Sequence, residues 1–291
     1  MSLSLKQEEP NIRVRFARPY ISNAVFYIPF GYYYAVRLGT IPKLVSWMLI
    51  YLMPTAFYSA LAFEGTWWHF GINYLLILLA TFSLYEYGYI FNDTIAIRHE
   101  KQPALRLYDY NFAHFNRWHP LILGVRIAYT VIALLALHAF NAGDSNVFAV
   151  DGAVGLTGAL FMAYNYCRGR HNVWLYPFLV CSRYLPFMLL YHPSGLLYLL
   201  LFLSFPLLNA IERFSMPRYR WPFMQHIIPD EASKTRFRMA YYLIVLAVLG
   251  PAMYMYGDSL IPLIPIALLG IYRLSLFFWL KRHNPTNYLN G

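Results

Sequence analysis

Residues 69–101 read HFGINYLLILLATFSLYEYGYIFNDTIAIRHEK, and the fold class turns on this stretch. It opens with an apolar run over 69–91, enough for a helix to cross the roughly 30 Å hydrocarbon core of a bilayer. The run ends in a cluster of acids and cations: Glu86, Asp93, Arg98, Glu100 and Lys101. Comparable apolar runs lie at 43–63, 120–141, 147–167, 173–192, 196–211, 238–256 and 259–280. Over all 291 residues, 59% are hydrophobic and 12% charged. A soluble domain carries about 25% charged residues, so an ordinary soluble enzyme is excluded. The expected fold is an all-α polytopic membrane protein of eight transmembrane helices, a single membrane domain over residues 1–291. The 19% of aromatic residues fit interfacial belts and an apolar ligand cavity.

Charge sets the expected orientation. Lys and Arg number 23 against 13 Asp and Glu, a formal charge of +10. The cations sit in loops rather than on a nucleic-acid face, so no nucleic-acid partner is expected. Segment 92–119 holds Arg98, Lys101, Arg106 and Arg117, while 168–172 holds Arg168 and Arg170. Segment 212–237 holds Arg213, Arg218, Arg220, Lys234 and Arg236, and the tail holds Lys281 and Arg282. The alternate connections carry only Glu64, Asp144 and Asp258. By the positive-inside rule, both termini are cytoplasmic and the chain belongs in the cytoplasmic (inner) membrane, with 92–119 and 212–237 as cytoplasmic cap loops. The first 42 residues form a cytoplasmic N-terminus without a cleavable signal. Within them, 21–36 is short, contains Pro29 and is flanked by Arg18, Arg37 and Lys43. It reads as an interfacial or re-entrant segment; if it spans, the helices number nine. Cys167 and Cys181 have no metal-type spacing.

Chemistry is expected at two helix ends. Glu86, Asp93 and Glu100 are spaced by seven and share one helix face at steps of roughly 10 Å. Asn209 and Glu212, at i and i+3, share a face in the second cluster. Cations follow both: Arg98 and Lys101, then Arg213 and Arg218. Carboxylates beside Lys and Arg suit a Mg²⁺-bridged phosphate, because the hard cation takes oxygen ligands and Arg forks neutralise phosphate oxygens. Ordinary positive-inside topology explains most of the cations but not the placement of the acids. Arg183 lies near the middle of the 173–192 run, too deep to snorkel. It requires a buried partner, either Glu86 or a lipid phosphate. Arg126, nearer the end of its run, is expected to snorkel; Arg273 can do either.

Asn92-Asp93-x-x-Ala96-x-x-x-Glu100 resembles the Asn-Asp-x-x-Asp-x-x-x-Asp signature of the UbiA-type intramembrane prenyltransferase superfamily, and Asn209-x-x-Glu212 resembles its second acidic motif. Tyr164-Asn165-Tyr166-Cys167-Arg168-Gly169-Arg170 resembles the family's link after the fourth helix, and Arg18-Pro19 its Arg-Pro before the first. Ala96 and Met216 stand where that pattern has Asp, and Glu100 replaces its last Asp. The resemblance implies a UbiA-like bundle with Mg²⁺ bridging a polyprenyl diphosphate. Asp93, Glu100, Asn209 and Glu212 would then be metal ligands, with Asp93, Glu100 and Glu212 catalytic. Asn92, Arg98, Lys101, Arg168, Arg170, Arg183, Asn209 and Arg213 would bind substrate.

The expected function is an intramembrane transferase acting on a polyprenyl (di)phosphate-type lipid at a cytoplasmic-side pocket, with diphosphate departure. Transfer of a phosphorylated sugar to a lipid phosphate would use the same residues. A degenerate, non-catalytic lipid-binding or scaffold subunit is the alternative that Ala96 and Met216 motivate. A transporter should show Gly/Pro-broken helix pairs, and the sequence reveals no matched pair.

Overall fold

The computed structural model describes residues 20–99, 105–167 and 172–283, and every regular element among them is helical. Six helices are long and apolar enough to cross a membrane: Ile41–Ala62, Trp67–Arg98, Asp109–Phe140, Asn146–Tyr166, Ser233–Met255 and Ile261–Arg282. A bent pair, Gly195–Ser204 and Pro206–Phe214, makes a seventh if taken as one span, its halves inclined by 43°. The multi-pass membrane architecture is therefore present, with six or seven such helices where the apolar runs suggested eight. Leu75, Ile132, Leu135, Phe148, Ile244 and Val248 are exposed on these helices. So much exposed apolar surface marks an interaction face, and on helices of this length lipid is the medium that covers it.

The two runs that are not continuous helices are interrupted by proline. Pro186 has no N–H for the Ser182 carbonyl, and the 173–192 run divides into Asn172–Ser182 and Leu185–Leu189, with Arg183 and Tyr184 between them. Pro206 likewise cannot continue the helix that ends at Ser204. Two proline-broken helices thus follow each other in the chain, where the sequence showed none as a matched pair. Carbonyls freed by a break need new donors inside a membrane, and tyrosines supply them. The Tyr51 hydroxyl donates to the Arg183 carbonyl at 2.8 Å. Tyr241 and Tyr242 donate to the carbonyls of Leu203 and Ser204, each at 2.7 Å. Pro54 withdraws the partner of the Ile50 carbonyl, and Tyr184 donates there at 2.9 Å. Part of the aromatic excess is therefore a set of buried hydroxyl donors rather than an interfacial belt.

The cap segments are shorter than the sequence suggested. Helix Asp109–Phe140 begins inside 92–119, and Glu212 lies within helix Pro206–Phe214. The 21–36 region folds as short helical turns that pack Phe26, Tyr32 and Val36 into a core with Tyr87, Ile90 and Phe115.

Candidate functional site

Asp93 occupies the last turn of helix Trp67–Thr94 and is fully buried. Arg37 Nη2 lies 2.6 Å from both of its oxygens, Arg106 Nη1 3.0 Å from Oδ1, the Tyr32 hydroxyl 2.9 Å from Oδ2 and Asn92 Nδ2 3.0 Å from Oδ1. Burial, the largest single effect, works against the Arg37 charge, yet the Asp93 carboxylate and the hydroxyls of Tyr32, Tyr89 and Tyr33 together hold the guanidinium pKa above its ordinary value. Neither Arg37 nor Arg106 was singled out as a ligand-binding residue from the sequence, where both read as loop cations.

Glu86 lies two turns earlier and is also fully buried. It accepts hydrogen bonds from the backbone N–H groups of Phe30 at 2.7 Å and Tyr33 at 2.5 Å, and from Arg126 Nη1 at 2.5 Å. The same guanidinium donates to the carbonyls of Phe26, Val25 and Ile28 at 2.9, 3.1 and 3.2 Å. Arg126 is 0% exposed, which corrects the expectation that it snorkels. The 21–36 segment folds across it, and its irregular backbone needs the donors that the guanidinium provides. Phe30, at φ 67°, holds a left-handed conformation that costs a non-glycine residue about 1–2 kcal/mol, with its N–H fixed on Glu86.

In the second acidic cluster, Glu212 is gripped by the Arg238 fork, Nε to Oε1 at 2.5 Å and Nη2 to Oε2 at 2.7 Å. Asn209 accepts from the Tyr176 hydroxyl at 2.5 Å. Arg98 turns to the surface, donating to the Thr94 carbonyl and to Asn116 Oδ1. Among the described residues, Asp93 and Glu212 share no hydrogen-bond or ion-pair partner. Glu100, Lys101, Arg168, Arg170 and the Arg18-Pro19 pair lie outside the described residues.

Among the described residues no group of three or more His, Cys, Asp and Glu lies together. The carboxylate oxygens of Asp93 and Glu212 are already engaged by guanidinium groups, whose charge repels a dication. Glu100, the remaining acid of the expected set, lies outside the described residues.

The structure brings together cations and tyrosines. Arg183 sits at the break between Ser182 and Leu185, 7% exposed. Its Nη1 donates to the Tyr85 hydroxyl at 3.0 Å, its Nε has no partner, and no carboxylate pairs with it among the described residues. The guanidinium carbon lies 5.2 Å from the ring centroids of Tyr51 and Tyr184 and 5.4 Å from that of Tyr85. Cation–π contacts contribute about 0.5–2 kcal/mol each, while an uncompensated buried ion costs several kcal/mol. Three rings together reach the same order as that cost.

Arg213 is a second such cation. Its guanidinium lies 4.6 Å from the Tyr176 ring and 5.7 Å from the Tyr164 ring, with Nη2 donating to the Tyr164 hydroxyl. Its Nε is buried without a partner. The Arg37 guanidinium lies 4.6 Å from the Tyr89 ring. Tyr85 and Tyr89 stand one turn apart with ring centroids 5.2 Å from each other. The two tyrosines thus stand between Arg183 and Arg37. Their i, i+4 spacing was the available sequence signal for this cluster, hidden among 27 tyrosines.

A cleft of about 630 Å³ lies at the other end of these helices. Glu64, His69, Asn73, Asn141, Asp144, Asn146 and His192 line it, so it belongs to the connections without Lys or Arg. No protein-family model, no curated protein and no solved structure matches this chain.

Proposed function

We propose that the protein is an intramembrane transferase that acts on a polyprenyl (di)phosphate-type lipid. The observation that carries this reading is Arg183, a cation held at a helix break with no acid beside it among the described residues. Of the two partners open to it in sequence, Glu86 is taken by Arg126 at 2.5 Å, which favours the other, a lipid phosphate. The motif resemblance at Asn92-Asp93 and Asn209-x-x-Glu212 points to the same lipid class. Discontinuous helices at membrane depth are also where ligand sites are built in other membrane proteins.

In this reading Arg183 and Arg213 neutralise the phosphate oxygens of the head group. Charge that accumulates on a departing diphosphate is then stabilised by donors already in place. The allylic carbon of the prenyl chain becomes electron-poor as that bond lengthens, and the acceptor attacks it. Asp93, with Arg37 and Arg106, holds the helix end and the preceding segment in register. Transfer of a phosphorylated sugar to a lipid phosphate would use the same head-group contacts.

The test is diphosphate release from a polyprenyl diphosphate by the protein reconstituted in liposomes, with candidate acceptors supplied. Turnover that vanishes in Arg183→Leu supports the reading. One observation favours a second reading, a non-catalytic lipid-binding subunit: Asp93 and Glu212, the motif acids among the described residues, are engaged in ion pairs. Tight lipid binding without turnover under any acceptor would select it.

A further inference from the structure

We propose that the cleft at the Lys- and Arg-free helix ends binds a primary ammonium group. It is a second site, separate from Arg183 and from the lipid-phosphate reading.

The cleft encloses about 630 Å³, within the size range of small-molecule pockets. Its walls come from the connections around 62–65, 140–146 and 190–192, with His69 and Asn73 from the start of helix Trp67–Thr94. Glu64 and Asp144 line it, and no Lys or Arg does among the described residues. Neither acid has an ion-pair partner among those residues. The one hydrogen bond to them there runs from the Asn146 backbone N–H to Asp144 Oδ1 at 2.9 Å.

The histidines add acceptors. Asn141 Nδ2 donates to the Leu137 carbonyl at 2.8 Å and to Asn73 Oδ1 at 2.9 Å. That fixes the amide, so Asn141 Oδ1 accepts from His69 Nε2 at 2.9 Å. Asn146 Nδ2 donates to the Leu190 carbonyl at 3.4 Å, and Asn146 Oδ1 pairs with His192 Nε2. A neutral imidazole that donates through Nε2 keeps Nδ1 as an acceptor. Phe63, Phe140 and Tyr191 also line the cleft. The Phe140 ring lies 4.6 Å from that of His69, and Phe63 5.4 Å from Tyr191; ring faces attract cations.

Carboxylates, imidazole acceptors and ring faces share one complement, a cation that carries N–H donors. A sugar would need donors for its own oxygens, and both hydrogens of Asn141 Nδ2 are already engaged. No group of three or more metal-ligating His, Cys, Asp and Glu gathers among the described residues. A primary ammonium brings three donors and a charge. It can arrive as a free amine or as the head group of phosphatidylethanolamine.

The experiment is calorimetric titration of the full-length protein in detergent with EDTA. The probes are ethanolamine, choline, glucose, and the dihexanoyl forms of phosphatidylethanolamine and phosphatidylcholine. Ethanolamine, its lipid or both should bind, while the choline compounds bind at least about tenfold more weakly and glucose does not bind. Binding of the lipid alone identifies the head group as the source, and binding of ethanolamine alone a free amine; either result supports the site. Glu64→Gln or Asp144→Asn, whichever alters the acid in contact with the ammonium, should weaken binding by about tenfold or more, the loss expected when a charged hydrogen-bond partner becomes neutral. Asp144→Asn keeps the oxygen that accepts the Asn146 N–H, which protects the fold. Affinity unchanged in both variants overturns the site, as does the absence of amine binding. Choline compounds bound as tightly as ethanolamine, or glucose bound in its place, overturn the ammonium assignment. None of these results bears on Arg183.

Discussion

Tyr85 and Glu86 are consecutive residues that serve two different arginines: the Tyr85 hydroxyl takes a hydrogen bond from Arg183 at 3.0 Å, and the Glu86 carboxylate takes one from Arg126 at 2.5 Å. At 3.6 residues per turn, neighbours on a helix point about 100° apart. One helix therefore satisfies a buried ion pair on one side and presents only a neutral hydroxyl to a buried cation on the other. The lipid-phosphate reading grows from that asymmetry.

The Glu86–Arg126 pair is structural. Glu86→Gln or Arg126→Leu alone should lower stability by about 3–5 kcal/mol, because each leaves a buried charge without its partner. Replacing both with leucine should recover much of the loss. Melting of the detergent-solubilised variants checks this, and single variants that melt as the parent does would show that the pair is dispensable.

Pro186 opens the helix at Arg183. Pro186→Ala restores the N–H that the Ser182 carbonyl lacks and lets the helix close through Arg183 and Tyr184. Stability should hold or rise, while head-group affinity should fall, the usual exchange when a functional irregularity is removed. Calorimetric binding beside a melting curve separates the two effects. Unchanged affinity in a more helical protein would detach the break from ligand binding.

Gly88 marks the close approach of two helices. A Cβ there would collide with the Phe161 ring, and the Gly88 carbonyl accepts a hydrogen bond from Asn165 Nδ2 at 2.8 Å. Gly88→Ala should cost about 1–3 kcal/mol by overpacking, read as a lowered melting temperature. Phe161→Ala in the same chain should relieve the clash, and failure of that rescue would contradict the assigned contact.

Much of this architecture was legible in the sequence, and particular residues show where legibility ended. The six long apolar helices and the depth of Arg183 follow from run length and position alone. The placement of Arg126 does not: by distance along its run it should reach water, and only the 21–36 segment folding over it makes it internal. Asp93 and Glu212 were visible as acids at helix ends, but their partners come from Arg37, Arg106 and Arg238, at sequence separations of 56, 13 and 26. Spacing rules along one helix carry no information on such pairings. The breaks at Pro186 and Pro206 were present as prolines, yet an apolar run containing one proline reads equally as a kinked helix or a divided one.

Asp93 separates a structural hub from a metal ligand. Asp93→Asn should lower the melting temperature, since Arg37 and Arg106 lose their shared counter-charge. It should not weaken phosphate binding with Mg²⁺ present. A fall in affinity that appears only with Mg²⁺ would make Asp93 a ligand and contradict the hub.

The most direct measurement is native mass spectrometry of the gently purified protein beside its Arg183→Leu variant. The expected result is a phosphate-headed isoprenoid lipid retained by the parent and lost from a variant that still melts cooperatively. Retention of that lipid by both proteins, or its absence from the parent, would contradict a lipid phosphate as the partner of the buried arginine.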